Sequence, residues 1–257
     1  MADVPSWVPW LLTAIVLSIL EWRRRAKAAP HPPTTHTELP SPTIEIRSEP
    51  DHPIGFGRKN RWIAVPASSP SAVAEALELR EVQACNWRSG FVAAYAYPSD
   101  YVFVTPPLDG LVLAVGIGLP DPGDPAALAR WRELMRALSK SFTTARYFAT
   151  HRVSNYTAWA LYSDGVEQRL FAHADERIHD LGEPTPEESG ILDRLPDPAA
   201  AEDDPAYWER DDIRPPDEED VLALAAAWSL DPSDLESRHD PPSVGLVGRL
   251  PARSPIE

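Results

Sequence analysis

The stretch ARYFATHRVSNYTAWALYSDGVEQRLFAHA, residues 145–174, decides the fold class of this chain. It divides into ARYFATHRV (145–153), YTAWALYS (156–163) and EQRLFAHA (167–174), three runs rich in aromatic and apolar residues. Asp164-Gly165 between the last two is a hairpin signal, because the favoured two-residue turn needs positive φ at both positions. A parallel pair needs a crossover of a dozen or more residues, so three strands joined this closely pair antiparallel.

Toward the N-terminus, Pro125–Ser139 carries Leu128, Trp131, Leu134, Met135 and Leu138 on one stripe, the pattern of an amphipathic helix. Arg130, Arg132, Arg136 and Lys140 weight its C-terminal half, which suits the helix dipole. YVFVTPPLDGLVLAVGIGL (101–119) reads as two strands around a Pro- and Gly-containing turn. Trp87, Phe91 and Tyr95 recur every fourth residue, which predicts a short helix starting at Asn86. RWIAV (61–65) is a further strand. Ser69-Pro70, Asp124-Pro125, Thr185-Pro186 and Asp231-Pro232 each put a capping side chain before a Pro at the first helical position. Asp217–Trp228 predicts another helix, with acids at its N-terminal end. The pattern implies an α+β domain: a largely antiparallel sheet with helices packed on one face, followed by an acidic helical C-terminal extension.

Residues 1–28 read as a membrane anchor with a basic flank. No charge interrupts Val4–Leu20, and Trp7, Trp10 and Trp22 bracket the run, where amphipathic rings favour the headgroup depth. Arg23, Arg24, Arg25 and Lys27 follow it, and no basic residue precedes it. The positive-inside bias therefore predicts a single-pass protein of a bacterial inner membrane with its C-terminal side in the cytoplasm. The bilayer contact is assigned to residues 4–22. A helix lying in the interface is the competing reading. Residues 29–57 are Pro-rich and read as a tether. The domain is expected over 58–180, an acidic Pro-rich and helical extension over 181–239, and a disordered tail over 240–257.

The chain has 39 acidic and 24 basic residues, and 20 of the acids lie beyond residue 180 against 6 basic residues. Outside the basic flank no segment clusters Lys and Arg, which argues against nucleic acid as a partner. A single cysteine, Cys85, excludes an internal disulfide framework and reads as a small buried hydrophobe.

The candidate chemistry is sparse. His151, Arg152 and Tyr156 cluster at one strand junction. Alternation puts His151 on the face of Ala149 and Val153, which predicts a core histidine rather than a base. His173, Asp175 and His179 are of metal-ligand type, but H-x₅-H is not a recurring zinc spacing, so no metal and no cofactor are expected. Gly116-x-Gly118 lacks the third glycine of a dinucleotide fingerprint, and Asp121 stands there instead. Val221–Arg238 has helix-turn-helix spacing, yet its second helix offers Asp234, Glu236 and only Arg238, a poor DNA reader.

YVFVTPPLDGLVLAVG, ARYFATHRVSNYTAWA and DLGEPTPEE together make residues 61–235 resemble a family of uncharacterised bacterial proteins. The resemblance implies a folded domain and carries no activity and no site residue. The reading is a membrane-tethered, non-catalytic cytoplasmic interaction domain, regulatory or immunity-like. Asp211, Asp212, Asp217 and Glu218 would contact a basic protein partner. The alternative is an enzyme using a sheet-surface site around His151.

Overall fold

A computed structural model describes residues 44–251, apart from residues 98, 175, 198–206 and 208–209. The expected anchor, Arg23, Arg24, Arg25, Lys27 and residues 29–43 of the expected tether lie outside the described residues, as does Asp175. Among the described residues no helix is long and apolar enough to cross a membrane.

The described chain forms an α+β domain around one nine-stranded antiparallel sheet. The strands are β1 (Arg61–Pro66), β2 (Arg80–Cys85), β3 (Tyr101–Val104), β4 (Leu111–Val115), β5 (Thr144–His151), β6 (Tyr156–Ser163), β7 (Val166–Ala174), β8 (Glu176–Leu181) and β9 (Gly245–Arg249). Their spatial order is β2-β9-β3-β4-β1-β5-β6-β7-β8. The helices are α1 (Pro70–Ala76), α2 (Trp87–Tyr95), α3 (Leu128–Phe142), α4 (Ser189–Leu192) and α5 (Glu218–Trp228).

The hairpins expected between residues 101 and 174 form as read. Asp164 and Gly165 take φ of 50° and 83°, as the turn between β6 and β7 requires. Ser69, Asn86 and Asp217 cap α1, α2 and α5 with their side chains. Thr185 and Glu188 close a reciprocal capping box. α3 starts later than its Asp124-Pro125 signal. The Asp124 side chain accepts from Ala126 N, residues 124–127 form a turn, and the helix opens at Leu128 with no side-chain cap.

The helices do not share one face. Trp62, Phe103, Leu113, Phe148, Trp159 and Phe171 point to one side of the sheet, beneath α2 and α5. Ile63, Val65, Val104, Tyr147, Ala158 and Leu170 point to the other, beneath α1 and α3. The reason is legible in WIAV, LVLAV and YTAWALY, which are apolar at both parities and so must be covered on both sides. Each layer has an aromatic centre. Trp159 stacks on Phe171 at 4.3 Å on one side, and Trp131 meets the edges of Tyr147 and Tyr162 on the other.

Three boundaries shift. The expected disordered tail contains β9, which pairs with β2 on one side and β3 on the other. Leu246 and Val247 supply the apolar alternation that a Pro- and Arg-flanked segment hides. The expected linker ends before residue 57, because Asp51 accepts from Trp87 N and Arg88 N at the start of α2 and Phe56 is buried against Trp62. The extension packs onto the domain. Tyr207 is buried, its hydroxyl accepts from Asp197 N, and Val221, Leu222, Leu224 and Ala225 of α5 are buried.

Candidate functional site

The antiparallel register gathers polar residues at one end of the sheet. The start of β1, the loop after β4, the β5–β6 turn and the β7–β8 turn all lie at that end. Gly116–Asp124 leaves β4 there. Arg61, first in β1, donates to the carbonyls of Ile117 and Leu119, and its Nε lies 2.7 Å from Asp121 Oδ2. Asp121 is buried. Its Oδ1 accepts from Gly123 N at 2.8 Å and from the Tyr156 hydroxyl. Burial first, and the Asp121 charge second, hold both the Tyr156 and the Tyr147 hydroxyls well above the usual phenol range. A buried carboxylate is tolerated here because a guanidinium, a hydroxyl and a backbone N–H share its charge.

A second polar group adjoins it. Asn60 donates to the Tyr95 hydroxyl, and Asn60 N and Gly57 O both meet Thr150 Oγ1. Burial first and then the Glu218 charge raise the Tyr95 hydroxyl. Glu218 opens α5, and its Oε1 lies 3.4 Å from Arg152 Nε. Arg58 meets Glu219 in the same region, at 2.7 Å.

The three residues singled out at the strand junction thus part company. Tyr156 turns inward to Asp121, and Arg152 turns to Glu218. His151 is not a core histidine: β5 ends on it, and a 3₁₀ turn over Arg152–Ser154 breaks the alternation that would have buried it. Its Nδ1 lies 2.9 Å from Ser154 Oγ. The expected face-sharing with Val153 fails for the same reason, since Val153 is 77 % exposed. Among the described residues its side chain bonds only to Ser154, a residue of its own turn.

His173 is buried in β7, whereas His179 Nε2 sits 3.0 Å from the carbonyl of Pro122 in the Asp121 loop. A β-bulge between Ala172 and His173 interrupts the strand pairing that relates them. Among the described residues no three His, Cys, Asp or Glu side chains could hold a metal ion. Cys85 is buried and burial pushes its thiol up to about 12, so it remains a protonated hydrophobe.

The four acids assigned to a partner differ in kind. Asp211 is exposed, and Asp212 is exposed beside Arg210. Asp217 caps α5, accepting from Glu219 N and Asp220 N, and pairs with Arg214. Glu218 is mostly covered, with its side chain 16 % exposed. Asp212 is held by both forks of exposed Arg210, and Asp211 makes no ion pair or hydrogen bond among the described residues.

The inner network that sequence reasoning missed is centred on Arg169. This residue of β7 is fully buried, and donates from Nε to Glu188 Oε1 at 2.7 Å and from Nη1 to Asp180 Oδ1 at 2.7 Å. Trp159 Nε1 also donates to Glu188, whose other oxygen accepts from Thr185 N. The Thr185-Pro186 cap, three residues before Glu188, was the only sequence signal near it. Asp121 was visible as a departure from a glycine pattern, but its partner Arg61 lies 60 positions earlier and nothing local links them. No family model matches the chain, and neither a curated protein nor a solved structure matches it.

Proposed function

We propose that this chain is a protein-interaction domain tethered to a bacterial inner membrane through residues 4–22, with its folded domain in the cytoplasm, acting in regulation or immunity by contact rather than catalysis. The observation that carries the reading is the setting of the acids around α5. Buried Val221, Leu222, Leu224 and Ala225 fix this helix to the sheet, while Asp211, with Glu219 beside Arg58 and Asp212 beside Arg210, stays exposed. Charge held on a rigid scaffold forms a surface that can steer a basic partner, which charge on a free tail does less well. The polar groups at the sheet end favour the same reading, because Tyr156 and Asp121 are engaged with each other and Arg152 with Glu218. Topology rests on Arg23, Arg24, Arg25 and Lys27.

The test is kinetic. A partner captured from native membranes by the full chain is purified and its association rate is measured against salt. The rate falls steeply from low to moderate salt, and Asp211→Asn, Asp212→Asn and Glu219→Gln together lower it at low salt while leaving the melting temperature in place. A rate indifferent to both salt and the triple substitution overturns the reading. A reporter active only in the cytoplasm, fused after Glu257, is active. Activity only of a periplasmic reporter overturns the orientation.

A further inference from the structure

Arg146 and Arg169 stand in one row across the sheet. Arg146 pairs with Leu161 between β5 and β6, and Leu161 pairs with Arg169 between β6 and β7. Residues directly opposite in antiparallel strands project to the same side. Two residues along each strand, Phe148, Trp159 and Phe171 form the parallel row on the face covered by α5. Trp228 at the end of α5 packs 5.9 Å from Phe148.

The two arginines are treated differently. Arg169 is sealed from solvent and matched by Glu188 and Asp180, yet its Nη2 is buried without a hydrogen-bond partner among the described residues. Arg146 is half-buried and makes no ion pair or hydrogen bond among the described residues. Burial alone lowers its guanidinium, with no acidic neighbour to offset that. A guanidinium does not shed its proton in a protein, so a partly desolvated one is costly until an anion meets it. The shortage is not of acids in general. Arg61, Arg132, Arg152, Arg194 and Arg214 each lie 3.4 Å or less from a carboxylate oxygen. Leu161 between the two arginines is also only half-buried, so the row keeps access to solvent.

We propose that Arg146, beside the buried charge of Arg169, forms an oxyanion-binding site on the α5 face of the sheet, taking the carboxylate or phosphate group of a small ligand. Arg169 stands two strand spacings away, about 9–10 Å, and its guanidinium is committed to Glu188, Asp180 and the Leu181 carbonyl, so it adds positive charge without touching the anion. The planar fork of Arg146 supplies two parallel N–H donors, the geometry that carboxylate and phosphate accept. Leu161 forms the apolar floor between them.

The experiment follows thermal unfolding of the full chain in rising inorganic phosphate and, separately, rising succinate, with chloride holding the ionic strength constant. A ligand that binds only the native state raises the melting temperature with its concentration. The wild-type chain responds to at least one of the two anions, and which one responds assigns the head group. Arg146→Met, which keeps the stem and removes the charge, abolishes the response. Arg146→Lys keeps the charge but loses the fork, and needs about tenfold more anion for the same shift. A wild type indifferent to both anions overturns the site. So does a response that Arg146→Met shares in full, which would be general salt stabilisation. If Arg146→Met does not fold, a lysine variant as responsive as wild type overturns the site in its place.

Discussion

Arg169 Nε lies 2.7 Å from Glu188 Oε1, with both side chains sealed from solvent. This pair joins the centre of β7 to the segment leading into α4, and it holds the extension to the sheet. Attraction in such a pair barely exceeds the cost of drying both charges, so its removal as a unit is mild and its halving is severe. Arg169→Met alone, or Glu188→Ala alone, is expected to cost about 3–5 kcal/mol in urea unfolding. Arg169→Met with Glu188→Leu should recover most of that. A double variant no better than the worse single one would mean that the pair does not act as a unit.

The second prediction concerns β9. Ending the chain at residue 239 removes the strand that separates β2 from β3. β2 then has no partner, Val247 leaves the core, and cooperative unfolding should be lost. A chain of residues 44–251 should melt as one transition. Starting it at residue 58 instead removes Asp51 and Phe56 and should lower the midpoint. An unchanged midpoint would return residues 44–57 to the role of a linker.

The buried phenols give a pH signature. The Tyr156 hydroxyl is raised above the ordinary value of 10.0, chiefly by burial. Above that pH the unfolded chain releases the tyrosine proton while the native chain keeps it. The unfolded state then binds fewer protons, so stability falls as pH rises. The stability involved is fully present below pH 10 and drains away above it. Tyr156→Phe should flatten the fall by about 1.4 kcal/mol per pH unit relative to wild type. It should also cost about 1–3 kcal/mol at neutral pH, since Asp121 loses a donor. Equal slopes in the two proteins between pH 10 and 11 would contradict this assignment.

Acids near α5 should separate by task. Asp217→Ala removes the cap and should destabilise by about 1 kcal/mol. Asp211→Asn and Asp212→Asn should each stay within about 0.5 kcal/mol. Chemical denaturation of the three variants distinguishes them, and similar losses in all three would dissolve the distinction.

Local grammar was the legible part of this fold. Asp164-Gly165, Asn86 and Thr185 each announce a turn or a cap through chemistry confined to a few residues, and each appears where it was read. β2 was not legible, because all its side chains but Cys85 are exposed and Glu81 takes a positive φ inside a bulge. An edge strand with no buried face has no period to read. The number of covered faces was present in YTAWALY but was overridden by the habit of antiparallel sheets to keep one wet face. At the sheet end, His151 and Tyr156 drew attention by type. Their fates were decided by Ser154 and Asp121, the one set by a 3₁₀ turn and the other by a distant loop. Arg169 looked like any charged residue in a strand until Glu188, 19 positions on, was placed above it.

The position of β9 also sets an order of events during synthesis. Val104 pairs with Leu246, and roughly 140 residues must be made between the two before that side of β3 is closed. As the chain emerges, β1 and β3 to β8 can pair with one another before β9 is made, while β3 presents an open edge and β2 has nothing to join. An open edge is a template for strands of other chains. The nascent domain therefore passes through a long interval in which its centre is formed and one flank is unsealed. A chaperone, or simple speed, matters most in that interval, and the arrival of Gly245–Arg249 brings it to a close.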